Sequence, residues 1–157
     1  MDLNELIERK RIRDVIYRYC EAVDAKDWDK VMASFTEDAT ISHGSYDGPA
    51  DKFLGFIQEI LNKMNKTVHS IGGTVISIDG NRAKISTTFS SFHQVSGEYV
   101  QVGPVKTGGV DTDWIVAGRY VDNLIKVKGE WKIKNRQASN DWTCVQPSNP
   151  SLSLIHI

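Results

Sequence analysis

The chain has 157 residues, enough for one domain with a real core. Its 40% apolar and 25% charged residues are an ordinary globular balance, and a net charge of -1 gives no basic surface for nucleic acid. No segment approaches the ~20 apolar residues of a membrane-spanning helix, so no membrane partner is expected. The acidic start, Met1-Asp2-Leu3-Asn4-Glu5, lacks the apolar core of a secretory leader, and a reducing, cytoplasmic setting is the expectation.

The first predicted element is a helix over residues 3–25. Ile12, Val15, Ile16, Tyr19, Cys20 and Val23 recur every three or four positions and form one apolar stripe. Arg9-Lys10-Arg11 lies in the same helix near Glu5 and Glu8 and reads as a solvated face. Asp27 is placed to cap a second short helix, from Trp28 through Phe35. Thr40–His43 reads as a strand, Gly48-Pro49 as the start of a turn, and Phe53, Phe56, Ile57, Ile60 and Leu61 as the apolar side of a third helix.

The period then changes from helical to alternating. Val68–Ile78 reads as a strand, and Asp79-Gly80-Asn81 as a hairpin turn. Across Arg82–Val95, the residues Ala83, Ile85, Thr87, Phe89, Ser91, His93 and Val95 share one face. Ser96–Asp113 is either a long loop or a twisted hairpin. Trp114–Val127 and Trp131–Trp142 form a second hairpin around Lys128-Gly129-Glu130.

Helices first and long strands after predict a single α+β domain over residues 1–146, with the helices on one face of the sheet. Gly72-Gly73 inside a strand predicts a bend or bulge. A sheet bent over helices makes a cone with an interior pocket. The tail, 147–157, carries Leu152, Leu154, Ile155 and Ile157, which are expected to cover the pocket or pack on another subunit.

Asp24 lies at the first helix's C-terminal end, where a negative charge is disfavoured by roughly 0.3–1 kcal/mol. It is either a surface carboxylate or one pointed into the pocket mouth. His69 is a structural strand histidine or a proton carrier, since imidazole serves as base and then acid near neutral pH. His93, on an apolar strand face, either lines the pocket or is a satisfied core histidine. Tyr19 is on the inner stripe of the first helix, either as a core aromatic or with its hydroxyl in the pocket. His43 ends a strand, and pattern does not fix the face of Tyr120. Cys20 packs as a small hydrophobe. No compact histidine motif, Cys-x-x-Cys, phosphate loop or nucleophile elbow occurs, so no metal or cofactor site is expected.

The run Val23-Asp24-Ala25-Lys26-Asp27-Trp28-Asp29 resembles the end of the first helix in the scytalone dehydratase family. His69-Ser70-Ile71-Gly72-Gly73-Thr74 resembles that family's catalytic-histidine strand, and His93-Gln94 matches a second pocket histidine. Ala117–Asp122, Gly129–Ile133 and Asp141-Trp142 are similar to the wider SnoaL-like group. Both lie in the nuclear-transport-factor-2-like superfamily, and the resemblance covers roughly residues 5–142. It implies a cone-shaped, cystatin-like fold, a strongly curved and mostly antiparallel sheet, a homodimer or homotrimer, and no cofactor. His69 would be the base, Asp24 its partner, and His93 a group that polarises or positions substrate.

Three positions depart from the scytalone dehydratase pattern. Val23 stands where that family has tyrosine, His43 where it has a second pocket tyrosine, and Tyr120 near its substrate-holding asparagine. His43, Tyr19, Tyr120 and His93 are therefore the substrate-binding set expected here, for a molecule other than scytalone. The leading expectation is a cofactor-independent lyase, a dehydratase or dehydrohalogenase, acting on a small, largely apolar molecule. The alternatives are an isomerase or polyketide-type cyclase using the same Asp-His dyad, and a non-catalytic binding or assembly domain.

Overall fold

The structure, a computed structural model, describes residues 2–149. The expectation for the apolar tail residues 152–157 lies outside the described residues. Helix α1, Leu3–Asp24, opens on Asp2, whose side chain accepts a hydrogen bond from the Glu5 amide at 2.8 Å. A short helix α2, Trp28–Ala33, is capped by Asp27. Strands β1, Phe35–His43, and β2, Tyr46–Pro49, lead into helix α3, Ala50–Leu61. Long strands follow: β3, Met64–Asp79, and β4, Arg82–Val95. A small hairpin, β5 (Gln101–Val102) and β6 (Val105–Lys106), precedes β7, Thr112–Val127, and β8, Glu130–Pro147.

The six-stranded sheet has the order β2-β1-β8-β7-β4-β3 and is not closed. Every pairing is antiparallel except β1 with β8. The predicted second helix ends at Ala33, so Phe35 belongs to a strand. The Ser34 carbonyl accepts from the Ile133 amide at 2.9 Å, which draws the chain out of the helix and into pairing with β8. Gly48-Pro49 ends β2 and abuts α3 directly. The Ser96–Asp113 stretch carries its own two-stranded hairpin, with Val102 and Val105 buried in the core.

The core lies between α1 and the sheet. The α1 stripe, Ile12 through Val23, is buried against β3, β4 and β8. All seven inward residues of β4 predicted by alternation are buried. Each fully buried aliphatic side chain contributes about 1.5–3 kcal/mol. At the other end of α1, Glu8 accepts from Trp131 Nε1 and pairs with Lys126, both at 2.6 Å.

Two irregularities shape the sheet around the core. The β3–β4 register shifts between Ile71 and Thr74, bulging at Gly72-Gly73. A Cβ on Gly72 would sit 2.4 Å from Thr88 Oγ1. The β7–β8 register shifts at Ala117/Gly118, where a Cβ on Gly118 would lie 1.9 Å from the Ser139 carbonyl oxygen. Among the described residues, no helix is long and apolar enough to cross a membrane.

Candidate active site

Helix α1 stops at Asp24 because Lys26 adopts a left-handed φ of 56° and turns the chain. Lys26 Nζ then donates to the Met64 carbonyl at 3.0 Å, fastening the helix end to the start of β3. This clamp brings the Asp24 carboxylate beside His69. His69 Nδ1 donates to Asp24 Oδ1 at 2.6 Å, and the His69 amide donates to Oδ2 at 2.7 Å. The Thr67 hydroxyl adds a longer bond to Oδ1 at 3.3 Å. Three donors thus offset the unfavourable helix-end position of this charge.

Burial pushes the Asp24 carboxyl pKa up, but the bonds from the His69 ring and amide outweigh it and hold the carboxyl below its ordinary value. Asp24 is therefore an ionised acceptor at neutral pH, which assigns the His69 proton to Nδ1. The unprotonated Nε2 is left as the basic atom.

His69 lines a pocket of about 110 Å³ together with His93, His43, Tyr19, Tyr120 and Arg136. Asp24 does not line it. It borders an outer cleft together with Tyr17, Cys20, Glu21, Ile71 and His69 itself, so the His69 ring lies between the two spaces. A larger outer groove of about 720 Å³ contains none of the histidines. Its charged rim is already engaged in pairs such as Arg11–Glu8 and Lys30–Asp27.

The His93 ring meets that of His69 edge-on at 5.4 Å. Its Nδ1 donates to the Trp114 carbonyl at 3.3 Å. Burial, helped by the neighbouring His69, pushes the His93 pKa down to about 4 against that bond. His93 is thus neutral at pH 7 and offers Nε2 as an acceptor. His43 Nε2 donates to Asn140 Oδ1 at 3.3 Å, and burial lowers its pKa as well. Burial raises the pKa values of Tyr19 and Tyr120, so both hydroxyls stay protonated.

Arg136 was not legible as a site residue. Its Nε and Nη2 donate to the two oxygens of Asp122 at 2.7 and 2.9 Å, and both side chains are at most 2% exposed. Tyr19 and Tyr120 flank its guanidinium at 4.2 and 4.3 Å. Strict alternation from Ile133 would turn Arg136 outward. The register shift at Asn123/Leu124 reverses the parity and turns it in. The usable signal was Asp122, which follows Tyr120 and precedes Leu124 on one face of β7. A carboxylate on a core-facing position requires a cation. Among the described residues, no three His, Cys, Asp or Glu side chains converge as a metal site.

The family model of the SnoaL-like domain matches residues 4–137. The uncharacterized protein Rv2910c of Mycobacterium tuberculosis is 22% identical over 140 residues, covering 87% of each chain. A Novosphingobium aromaticivorans protein provisionally named a scytalone dehydratase superposes with a TM-score of 0.74 at 23% identity, covering 93% of this chain and 94% of that one. The hexachlorocyclohexane dehydrochlorinase LinA-type3 of Novosphingobium barchaimii superposes with a TM-score of 0.72 at 13% identity, covering 93% and 94%. At these identities the two structures share the fold with this chain.

Proposed function

The chain belongs to the SnoaL-like domain family, and on that footing we propose that it is a cofactor-independent lyase of dehydratase or dehydrohalogenase type. The observation that carries this reading is the 2.6 Å bond from His69 Nδ1 to Asp24, with the ring on the cavity wall. Two structural neighbours are named for elimination enzymes, which supports the same reaction class. The substrate is a small, largely apolar molecule with a C–H bond acidified by an adjacent carbonyl.

His69 Nε2 removes that proton, and the hydroxide or halide on the next carbon departs. When hydroxide leaves, the imidazolium returns the proton and water is released. Asp24 fixes the tautomer and stabilises the imidazolium. His93, neutral and anchored on Trp114, accepts a hydrogen bond from a substrate hydroxyl and so positions it. General-base help of this kind supplies about 10²–10⁴-fold, and positioning and electrostatics supply the remainder.

The test is turnover of small β-hydroxy and β-chloro carbonyl compounds, with product mass as readout. Loss of water or chloride supports elimination, whereas a product of unchanged mass assigns the dyad to isomerisation or cyclisation. Asp24→Asn and His69→Ala each abolish turnover in a folded protein, and full activity in either variant contradicts the dyad.

The same proposal includes a homo-oligomer formed through the outer face of the sheet. Val68, Phe92, Ile115 and Cys144 lie in register across four strands, with Ala117 and Trp142 in the row beside them. Val68 and Trp142 are more than half exposed. An apolar row of this kind on a sheet face is suited to a second copy of itself.

A further inference from the structure

Ser91 stands on the inner face of β4 between Phe89 and His93, in register with His69 on β3 and Val116 on β7. The residue is 3% exposed, and its hydroxyl bonds to no described residue. Thr87 Oγ1, on the same face, is also unpaired but is fully enclosed. Ser91 Oγ is not enclosed in that way, and the residue lines the pocket with His69 and His93. A hydroxyl without a partner in the protein, on the wall of a pocket, takes its partner from what the pocket holds.

The two histidines beside Ser91 both present an acceptor. Asp24 holds the His69 proton on Nδ1 and leaves Nε2 as the base. His93 commits its Nδ1 proton to the Trp114 carbonyl and leaves Nε2 as an acceptor. The two rings are 5.4 Å apart. Residues directly opposed on paired strands have Cβ atoms about 4.5–5.5 Å apart, and two residues along one strand span about 7 Å. Ser91 therefore flanks both rings and brings a donor to them. A substrate hydroxyl fits all three groups: its hydrogen goes to His93 Nε2, one lone pair accepts from Ser91, and the other faces His69. A chlorine in the same place has no hydrogen to give. It leaves the buried His93 nitrogen unpaired, at a cost of roughly 10- to 100-fold in binding.

We infer that Ser91 holds the leaving oxygen of the substrate, and that with His93 it makes the pocket select a β-hydroxyl over a β-halide. The inference rests on the proton-transfer reading given above and narrows its leaving group. His69 Nε2 takes the α-proton, and the C–H electron pair becomes the new C=C bond. The C–O pair departs on oxygen. The imidazolium proton passes to that oxygen, and water leaves. Negative charge builds on the oxygen as the C–O bond breaks, so the bond from Ser91 strengthens in the transition state. Ser91 thus acts on departure of the leaving group and not on removal of the α-proton.

Butan-2-one, 4-hydroxybutan-2-one and 4-chlorobutan-2-one differ only at the leaving position and suit a pocket of about 110 Å³. Deuterium uptake by butan-2-one in heavy water reads proton transfer alone, and enone formation from the other two reads departure. In Ser91→Ala, uptake is expected to stay unchanged. The kcat for the hydroxy ketone is expected to fall roughly 10- to 100-fold, and that for the chloro ketone by less than about threefold. The melting temperature is expected to hold or rise, since no bond within the protein is lost. An unchanged hydroxy-ketone rate, or equal losses for the two leaving groups, overturns the assignment. Lost uptake together with a lowered melting temperature also overturns it, by giving Ser91 a structural role. Absent uptake in the unsubstituted protein is instead a failure of the dyad, and binding then decides for Ser91. Unreactive butane-1,3-diol is expected to bind more tightly than butan-2-ol, by a ratio that drops at least about threefold in Ser91→Ala. An unchanged ratio overturns the assignment.

Discussion

Asp24 and His93 are both titratable and both shifted, and they lose their folded-state advantage in different pH windows. The His93 pKa falls from 6.5 to about 4 on folding. The unfolded chain therefore binds the proton first as pH drops, and stability declines between about pH 6.5 and 4, by roughly 3 kcal/mol in full. Urea denaturation across this range checks the decline, and His93→Phe is expected to flatten it. The Asp24 pKa is also lowered on folding. Its contribution is present above the unfolded carboxylate value near 3.9 and is lost as pH falls further, through the folded value. In Asp24→Asn that more acidic loss disappears while the His93 decline remains. The same substitution removes the acceptor that fixes the His69 tautomer, and turnover is expected to be abolished in a protein that still folds. Denaturation curves and kinetics on one variant thus separate the two roles of this carboxylate.

At the scale of elements, the site depends on where strands break their own rules. The bulge at Gly72-Gly73 begins three residues after His69 in β3, and its glycines were legible from sequence. The shift at Ala117/Gly118 was not, because a single glycine in a strand does not announce a backbone 1.9 Å from its missing Cβ. Gly118→Ala is expected to destabilise the protein by about 2 kcal/mol or more, through collision with the Ser139 carbonyl and the Phe89 ring. Thermal unfolding measures it. Asp122→Asn is expected to cost roughly 3–5 kcal/mol by stranding the Arg136 charge. The double replacement by apolar residues is expected to cost much less, a difference that a double-mutant cycle reads directly. Helix α1, the alternation of β4 and the inward set from Ala83 to Val95 followed from pattern alone, because each is governed by one period. Arg136 was hidden because its inward direction depends on a register shift between two strands, which no single-strand pattern encodes.

At the scale of the molecule, the sequence carried the fold class, the order of helices before strands, and the two runs that hold Asp24 and His69. The family resemblance also implied their pairing, with Asp24 as the partner of His69, but not the contacts that bring them together. The carboxylate meets the imidazole where Lys26 ties the end of α1 to Met64, a contact between segments 38 residues apart. Assembly belongs to this scale as well. Trp142→Glu places a charge in the outer apolar row and is expected to shift the protein toward monomer in sedimentation analysis, with the fold retained. The central claim is that His69, oriented by Asp24, moves a proton to and from carbon. The most direct measurement is deuterium uptake into the α-carbons of cyclohexanone in heavy water, followed by proton NMR. Exchange well above buffer in the unsubstituted protein, falling to background in folded Asp24→Asn and His69→Ala, is the predicted result. Exchange at an undiminished rate in both variants would contradict it.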